Sequence, residues 1–138
     1  MTVILRAILA LVGLGIIFLG LNIGFGGIQT LGLQGTGPFI EVTDPSLFSV
    51  RDSHVRFIGG VWLGIGLLFV AAAFRLQQLR GAVLAAIGMI FIGGLSRFSA
   101  PSLVPLAGAD LLPSLLMEFL LFPLLGLWIV KATPRTVA

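Results

Sequence analysis

The side chains able to do chemistry in this chain are few, and the most telling of them sits in oil. Glu118 is the only acid in the middle of a long apolar run, and three other apolar runs carry no acid at all. An ionisable group inside hydrocarbon is expensive, so its position marks where a function would be built. Arg56 and Arg97 also fall just inside apolar runs. One carboxylate and two guanidiniums can do three kinds of work. They can tie helices together as a buried ion pair, line a pocket where arginine meets an anionic or carbonyl-bearing headgroup, or handle a proton in transport. His54 reads as a solvated residue near a helix start, and no serine or threonine is placed as a nucleophile for it to assist. With no cysteine and a single histidine, a disulfide framework, a thiolate metal site and a bis-histidine haem are excluded. No catalytic residue, metal or cofactor is assigned.

The elements that position these groups follow from composition. Hydrophobic residues make up 58% of the 138 residues and charged residues 9%, with a mean hydropathy of +1.18. A water-soluble domain carries about 25% charged residues, so this chain is an integral membrane protein with one domain over residues 1–138. Its eight Lys and Arg are scattered, which argues against nucleic acid and for a topological role.

A helix crosses a bilayer in about 20 apolar residues, and four stretches qualify: 3–24, 53–74, 81–99 and 111–130. The first competes with a cleavable signal peptide, but no small-x-small cleavage site lies near Leu19 to Asn22, and a retained span is expected. Arg6, Arg75, Arg80, Lys131 and Arg135 fall on one side, while Glu41, Asp44, Arg51, Asp52 and Asp110 fall on the other. The positive-inside rule then places both termini in the cytoplasm. The expected fold is all-α: an antiparallel four-helix transmembrane bundle with a Gly-rich outer loop over 25–52. Residues 75–80 (RLQQLR) read as a short polar turn between spans two and three. Asp44-Pro45 reads as an N-cap with proline in the first turn of a short surface helix over 45–50. Asp52 then reads as the cap of the second span, and Asp110 as the start of the fourth, with Pro113 tolerated in its first turn.

In lipid, close packing through small residues brings helices together. Small-xxx-small pairs stand at Gly20/Gly24, Gly60/Gly64 and Gly81/Ala85. Helical spacing puts Asp52, Arg56, Gly59, Leu63 and Gly66 on one stripe of the second span, and Ala86, Ile90, Gly93 and Arg97 on one stripe of the third, with Gly94 adjoining. At about 1.5 Å per residue, Arg56, Arg97 and Glu118 lie about 6, 4 and 10 Å inside the outer ends of their spans. Helical side chains lean toward their own N-terminus, so Arg97 and Glu118 lean toward one another from antiparallel helices. Trp128 suits an interfacial anchor near the cytoplasmic end, whereas Trp62, about nine residues into its span, belongs inside the bundle.

Three segments taken together, DSHVRFIGGVWLGIGL (52–67), FIGGLSR (91–97) and EFLLFPLLGLW (118–128), carry a resemblance. In order, spacing and the Arg-Phe-x-Gly-Gly-x-Trp core the chain resembles the domain of unknown function 4345 family, small bacterial membrane proteins with four predicted helices. The resemblance covers most of the chain up to Trp128, but segment 25–45 matches no motif of the family. It implies topology, and it marks Asp52, Arg56, Gly59, Gly60, Trp62, Gly93, Gly94, Arg97, Glu118 and Pro123 as characteristic positions. It implies no activity. The layout is also similar to the quinone-associated DoxX-like proteins, at the level of fold alone.

The expectation is a non-enzymatic protein of the bacterial inner membrane that binds a lipid-like or apolar small molecule in an outward-facing pocket. Arg56, Arg97, Glu118, Asp52, His54 and Trp62 are the candidate ligand-binding residues. Two alternatives stand beside it. One is an accessory or assembly subunit whose glycine faces dock another membrane protein or a second copy. The other is a proton-coupled carrier or membrane enzyme using Glu118. Membrane lipid is the expected partner in every case.

Overall fold

With no water in the bilayer to receive them, backbone N–H and C=O groups must be paired within the chain, and an apolar chain of this composition has helix as its available solution. A computed structural model describes residues 3–33 and 42–133, with backbone alone at 31–33. Every regular element among these residues is helical. Three helices are long and apolar enough to cross a membrane. Helix α1 spans Val3–Gly26, α2 spans Pro45–Ser96, and α3 spans Leu112–Ala132. Short 3-10 turns cover Gly27–Leu33, Arg97–Ser99 and Val104–Ala107. Segment 34–41, with Glu41, and residues 134–138, with Arg135, lie outside the described residues.

Helix α1 ends at a glycine for a steric reason. Gly27 has φ +74, the left-handed conformation that closes a helix at low cost only where no Cβ is present. Helix α2 starts as its sequence suggests. The Asp44 carboxylate accepts from the Ser46 and Leu47 amides, both at 3.0 Å, and from the Ser46 hydroxyl at 2.8 Å. Those amides have no helical partner, and Pro45 has no N–H to satisfy.

Three expectations are corrected here. The helix begun at Pro45 does not stop at residue 50: it runs through Asp52, which lies inside it and does not cap it. The turn expected over 75–80 shrinks to one residue: Arg75, with φ −130 and ψ 42, kinks α2, and 76–80 are helical. RLQQLR contains no glycine or proline, and Leu, Gln and Arg are all good helix formers, so the break stays confined to Arg75 and the helix resumes at once. The kink does not separate α2 into two elements, so among the described residues three long apolar helices are present where four separated ones were expected. Asp110, finally, does not cap α3. Its N-cap is Leu111, and the Leu111 and Leu112 amides donate to the Gly108 carbonyl at 3.2 and 2.9 Å.

Helix α3 changes its winding in the middle. Leu112–Leu116 and Phe122–Ala132 are α-helical, but Met117–Leu121 form a π turn in which the Phe122 amide donates to the Met117 carbonyl. Pro123 supplies the cause: it lacks an N–H and its ring collides with the carbonyl four residues back, and a widened turn relieves that collision.

The chain divides at Arg75 into two compact units. One comprises residues 6–74, and the other comprises residues from Arg75 onward with the first residues of α1. In the first, α1 packs antiparallel on the opening segment of α2, backbone against backbone. A Cβ added to Gly59 would lie 2.2 Å from the Gly24 nitrogen, and one on Gly20 would lie 2.4 Å from the Leu63 nitrogen. A Cβ on Gly66 would lie 2.7 Å from the Ile17 nitrogen, and one on Gly13 would lie 2.8 Å from the Val70 nitrogen. Each step down α1 thus matches a step up α2 at turn spacing. In the second unit, the α2 stripe of Val83, Ala86, Ile87, Ile90 and Gly94 is buried, as are Leu115, Glu118, Phe122, Leu125 and Ile129 of α3. The two helices meet where Gly126 lies against Ile87 and Leu84, and where Phe119 packs on Phe91 with ring centres 5.2 Å apart.

Candidate functional site

Among the described residues four charged side chains form two ion pairs, each wholly within one unit. In the second unit Glu118 projects from the π turn and Arg97 stands at the end of α2. The Arg97 Nε donates to Glu118 Oε2 at 3.0 Å and Oε1 at 3.2 Å, and Nη2 donates to Oε1 at 2.8 Å. One edge of the guanidinium therefore covers both carboxylate oxygens, the fork geometry in which arginine pairs most strongly. The Glu118 side chain is 7% exposed and that of Arg97 35%. The pair is closed on the carboxylate side and open on the guanidinium side, where Nη1 has no partner among the described residues. Gly94 makes the approach possible, since a Cβ there would stand 3.0 Å from both Glu118 Oε2 and the Phe119 ring. Phe119 in turn packs against Phe98, with ring centres 6.0 Å apart, so aromatic rings flank the pair. The expected convergence of Arg97 and Glu118 is what the structure places there.

In the first unit Arg56 and Asp52, one turn apart on α2, clasp the end of α1. Arg56 Nε donates to Asp52 Oδ2 at 2.6 Å. Its Nη1 donates to the Phe25 carbonyl and its Nη2 to that of Gly26 at 3.5 Å. The other Asp52 oxygen accepts from the Ile28 amide at 2.8 Å. Carbonyls at a helix C-terminus carry partial negative charge, so a guanidinium belongs there, and the carboxylate takes an amide that the left-handed turn has released. Gly27 leaves room for the clasp, because a Cβ there would lie 2.1 Å from Asp52 Oδ1. Thr30 adds a second tie, its hydroxyl meeting the carbonyls of Asn22 and Gly27 at 2.8 and 3.0 Å.

Of the remaining candidates, Trp62 is half-buried on α2, and His54 is exposed with no hydrogen bond among the described residues. The α2 stripe of Asp52, Arg56, Gly59, Leu63 and Gly66 does face α1 as its periodicity requires. Three of the expected packing glycines do not engage: a Cβ on Gly60, Gly64 or Gly81 would meet nothing. On the third span it is Gly94, and not Gly93, that admits a neighbour. Among the described residues no group of three or more His, Cys, Asp or Glu could hold a metal ion.

Two features were not foreseen. The π turn had one signal, Pro123 inside an apolar run. Arg80, read only as a topological charge, donates from Nε to the Thr133 hydroxyl at 3.0 Å. Polar side chains at the same end of two spans are the signal that could have suggested that pairing.

A match to the family described as "Domain of unknown function (DUF4345)" extends over residues 4–129. Comparison with curated proteins found no match, and neither did comparison with solved structures. The matched region contains Asp52, Arg56, Arg97, Glu118 and Pro123, and so holds both ion pairs and the residue behind the π turn. This chain belongs to the DUF4345 family.

Proposed function

We propose that this is a non-enzymatic protein of the bacterial plasma membrane, crossing it four times with both termini cytoplasmic. In this reading it holds a lipid-like molecule by a polar head at the open edge of Arg97. The four crossings follow from length. The 52 residues of α2 would extend about 78 Å if straight, against a hydrocarbon core of about 30 Å. Divided at Arg75, they yield one segment of about 45 Å and one of about 32 Å, each long enough to cross. Arg75 and Arg80 next to the break, with Arg6 and Lys131, favour a cytoplasmic position for that end.

One observation supports binding above the others. Arg97 spends a single edge on Glu118 and keeps about a third of its side chain exposed, so it can donate to an acceptor without releasing the carboxylate. Phe98 and Phe119 next to it offer apolar surface for the body of the same molecule. Catalysis has less support. Both Glu118 oxygens are taken by Arg97, and His54 activates no neighbour. The test is native mass spectrometry of protein extracted in its own lipid. One lipid-like species should be retained by the wild type and by Arg51→Gln and lost from Arg97→Gln. Retention of nothing beyond bulk lipid, or equal retention by both variants, would overturn the proposal.

A second reading has one observation behind it. Gly60 and Gly64, one turn apart on α2, leave a face that no described residue fills, which suits docking of another helix. A single stoichiometric membrane partner that is lost on Gly60→Leu would favour an accessory subunit instead.

A further inference from the structure

We infer a second lipid site, at the other end of the second unit, where Arg80 takes the phosphate of an anionic phospholipid. It shares no residue with the Arg97 site and does not depend on it. Arg80 is held from one side only. Its Nε donates to the Thr133 hydroxyl at 3.0 Å, and that hydroxyl donates in turn to the Ile129 carbonyl at 2.6 Å. Thr133 is fully buried, so the acceptor is fixed and the guanidinium inherits its position. Nη1 and Nη2 have no partner among the described residues, although the side chain is half-buried.

No carboxylate among the described residues of this unit serves it. Glu118 is engaged by Arg97 and lies about 22 Å up the helix from Thr133, while Asp110 precedes the far end of α3. Asp44 is spent on the start of α2, and Asp52 on Arg56. A partly sequestered guanidinium whose two terminal nitrogens meet no acid among the described residues is an incomplete arrangement, because a charge leaving water requires compensation.

Position identifies the counter-ion. Arg80 and Arg97 bound the same helical segment about 25 Å apart, close to the thickness of the hydrocarbon core, so both stand at headgroup level. A guanidinium with both terminal nitrogens free presents paired donors that match phosphate oxygens. Arg75 and Lys131, both exposed, add positive charge at the same end, and basic residues at a membrane surface attract anionic lipid. Fixing by Thr133 distinguishes Arg80 from those two. It converts a diffuse attraction into a site.

The experiment compares wild type, Arg80→Gln, Arg80→Lys, Thr133→Val and Arg51→Gln in micelles containing phosphatidylglycerol or phosphatidylcholine, with retained lipid counted by native mass spectrometry. Wild type should keep one phosphatidylglycerol in preference to phosphatidylcholine. That preference should fall about tenfold in Arg80→Gln and several-fold in Arg80→Lys and Thr133→Val, with no change in Arg51→Gln, which loses the same charge elsewhere. Should Arg80→Gln not fold, Arg80→Lys carries the decision, because it keeps the charge and loses only the fork. Equal preference in all five proteins would overturn the inference. Displacement of phosphatidylglycerol by millimolar inorganic phosphate would also overturn it, by showing a site for free anions.

Discussion

Gly59 and Gly60 are neighbours in sequence, identical in chemistry and opposite in what surrounds them, and replacing each by alanine tests the α1–α2 packing against its own control. A Cβ on Gly59 would lie 2.2 Å from the Gly24 nitrogen and 2.5 Å from its Cα, where ordinary contact begins at 3.4 Å. Both obstacles are backbone, so no rotamer can yield, and the helices must part by about 1 Å. Parting costs dispersion contact along the whole seam from Gly24 to Gly13, and in lipid that contact is most of what holds the pair. Overpacking of this kind costs about 1–3 kcal/mol, partly offset by a gain of about 1 kcal/mol when alanine replaces glycine in a helix. Gly60→Ala collects the same gain and meets nothing. Unfolding in mixed dodecyl sulfate micelles, followed by fluorescence of the nearby Trp62, should place Gly59→Ala below Gly60→Ala by about 2 kcal/mol, with Gly60→Ala at or above the wild type. Coincident transitions for the two variants would refute the register. A Gly60→Ala less stable than Gly59→Ala would reverse it.

Glu118→Gln strands a guanidinium that kept a buried partner, and the loss should be about 3 kcal/mol, the low end for such pairs because Arg97 retains a path to water. Adding Arg97→Gln should return at least about 1 kcal/mol, as a coupled pair requires, and strictly additive losses in the same unfolding assay would show the two side chains to be independent. The amides of Leu47 and Ser46 and the hydroxyl of Ser46 hold the Asp44 carboxyl below its usual range. The ionised form is then the one that stabilises the start of α2. Protection of the Leu47 amide from hydrogen exchange should persist above the normal carboxylate range and vanish as pH falls through the lowered pKa. In Asp44→Ala that protection should be missing at every pH, and an unchanged profile would remove the cap.

Much of this was legible because helical periodicity acts at one residue's resolution. Asp52, Arg56, Gly59, Leu63 and Gly66 can share a face only if that face meets something small, and Gly24, Gly20 and Gly13 of α1 supply it. Arg97 and Glu118 could be matched by depth and by the direction in which side chains lean. What escaped depends on register or on partners distant in sequence. Gly60 and Gly64 have the same spacing as Gly20 and Gly24, and only the register of α1 decides which glycines are used. Asp52 was taken for a cap of its own helix, whereas the amide it binds, Ile28, lies 24 residues back at the end of another. The 75–80 segment was read as a polar turn six residues long, whereas the break is confined to Arg75, because Leu, Gln and Arg resume the helix at once.

The three polar ties share a kind of setting, an irregular or ending stretch of helix, and that setting has a cause. Asp52 and Arg56 meet α1 where it tightens into a 3-10 turn at Gly27. Glu118 emerges from a π turn, and Arg97 begins a 3-10 turn. Thr133 stands just past the end of α3, beyond Ala132. Irregular backbone releases N–H and C=O groups that a regular helix would have paired, and inside or near a bilayer they must find other partners. The same departures re-aim side chains off the regular helical stripe. Where the backbone must break, because Pro123 obstructs a carbonyl or Gly27 reverses its handedness, a polar side chain gains both a reason to be present and a direction in which to point. The Arg56 clasp answers the first need, since its donors go to freed carbonyls. Glu118 answers only the second: its oxygens meet a side chain and not the backbone. Replacing Asp52 or Arg56 should therefore loosen the end of α1 and little else, while the Arg97–Glu118 pair has an open edge to spare for a ligand.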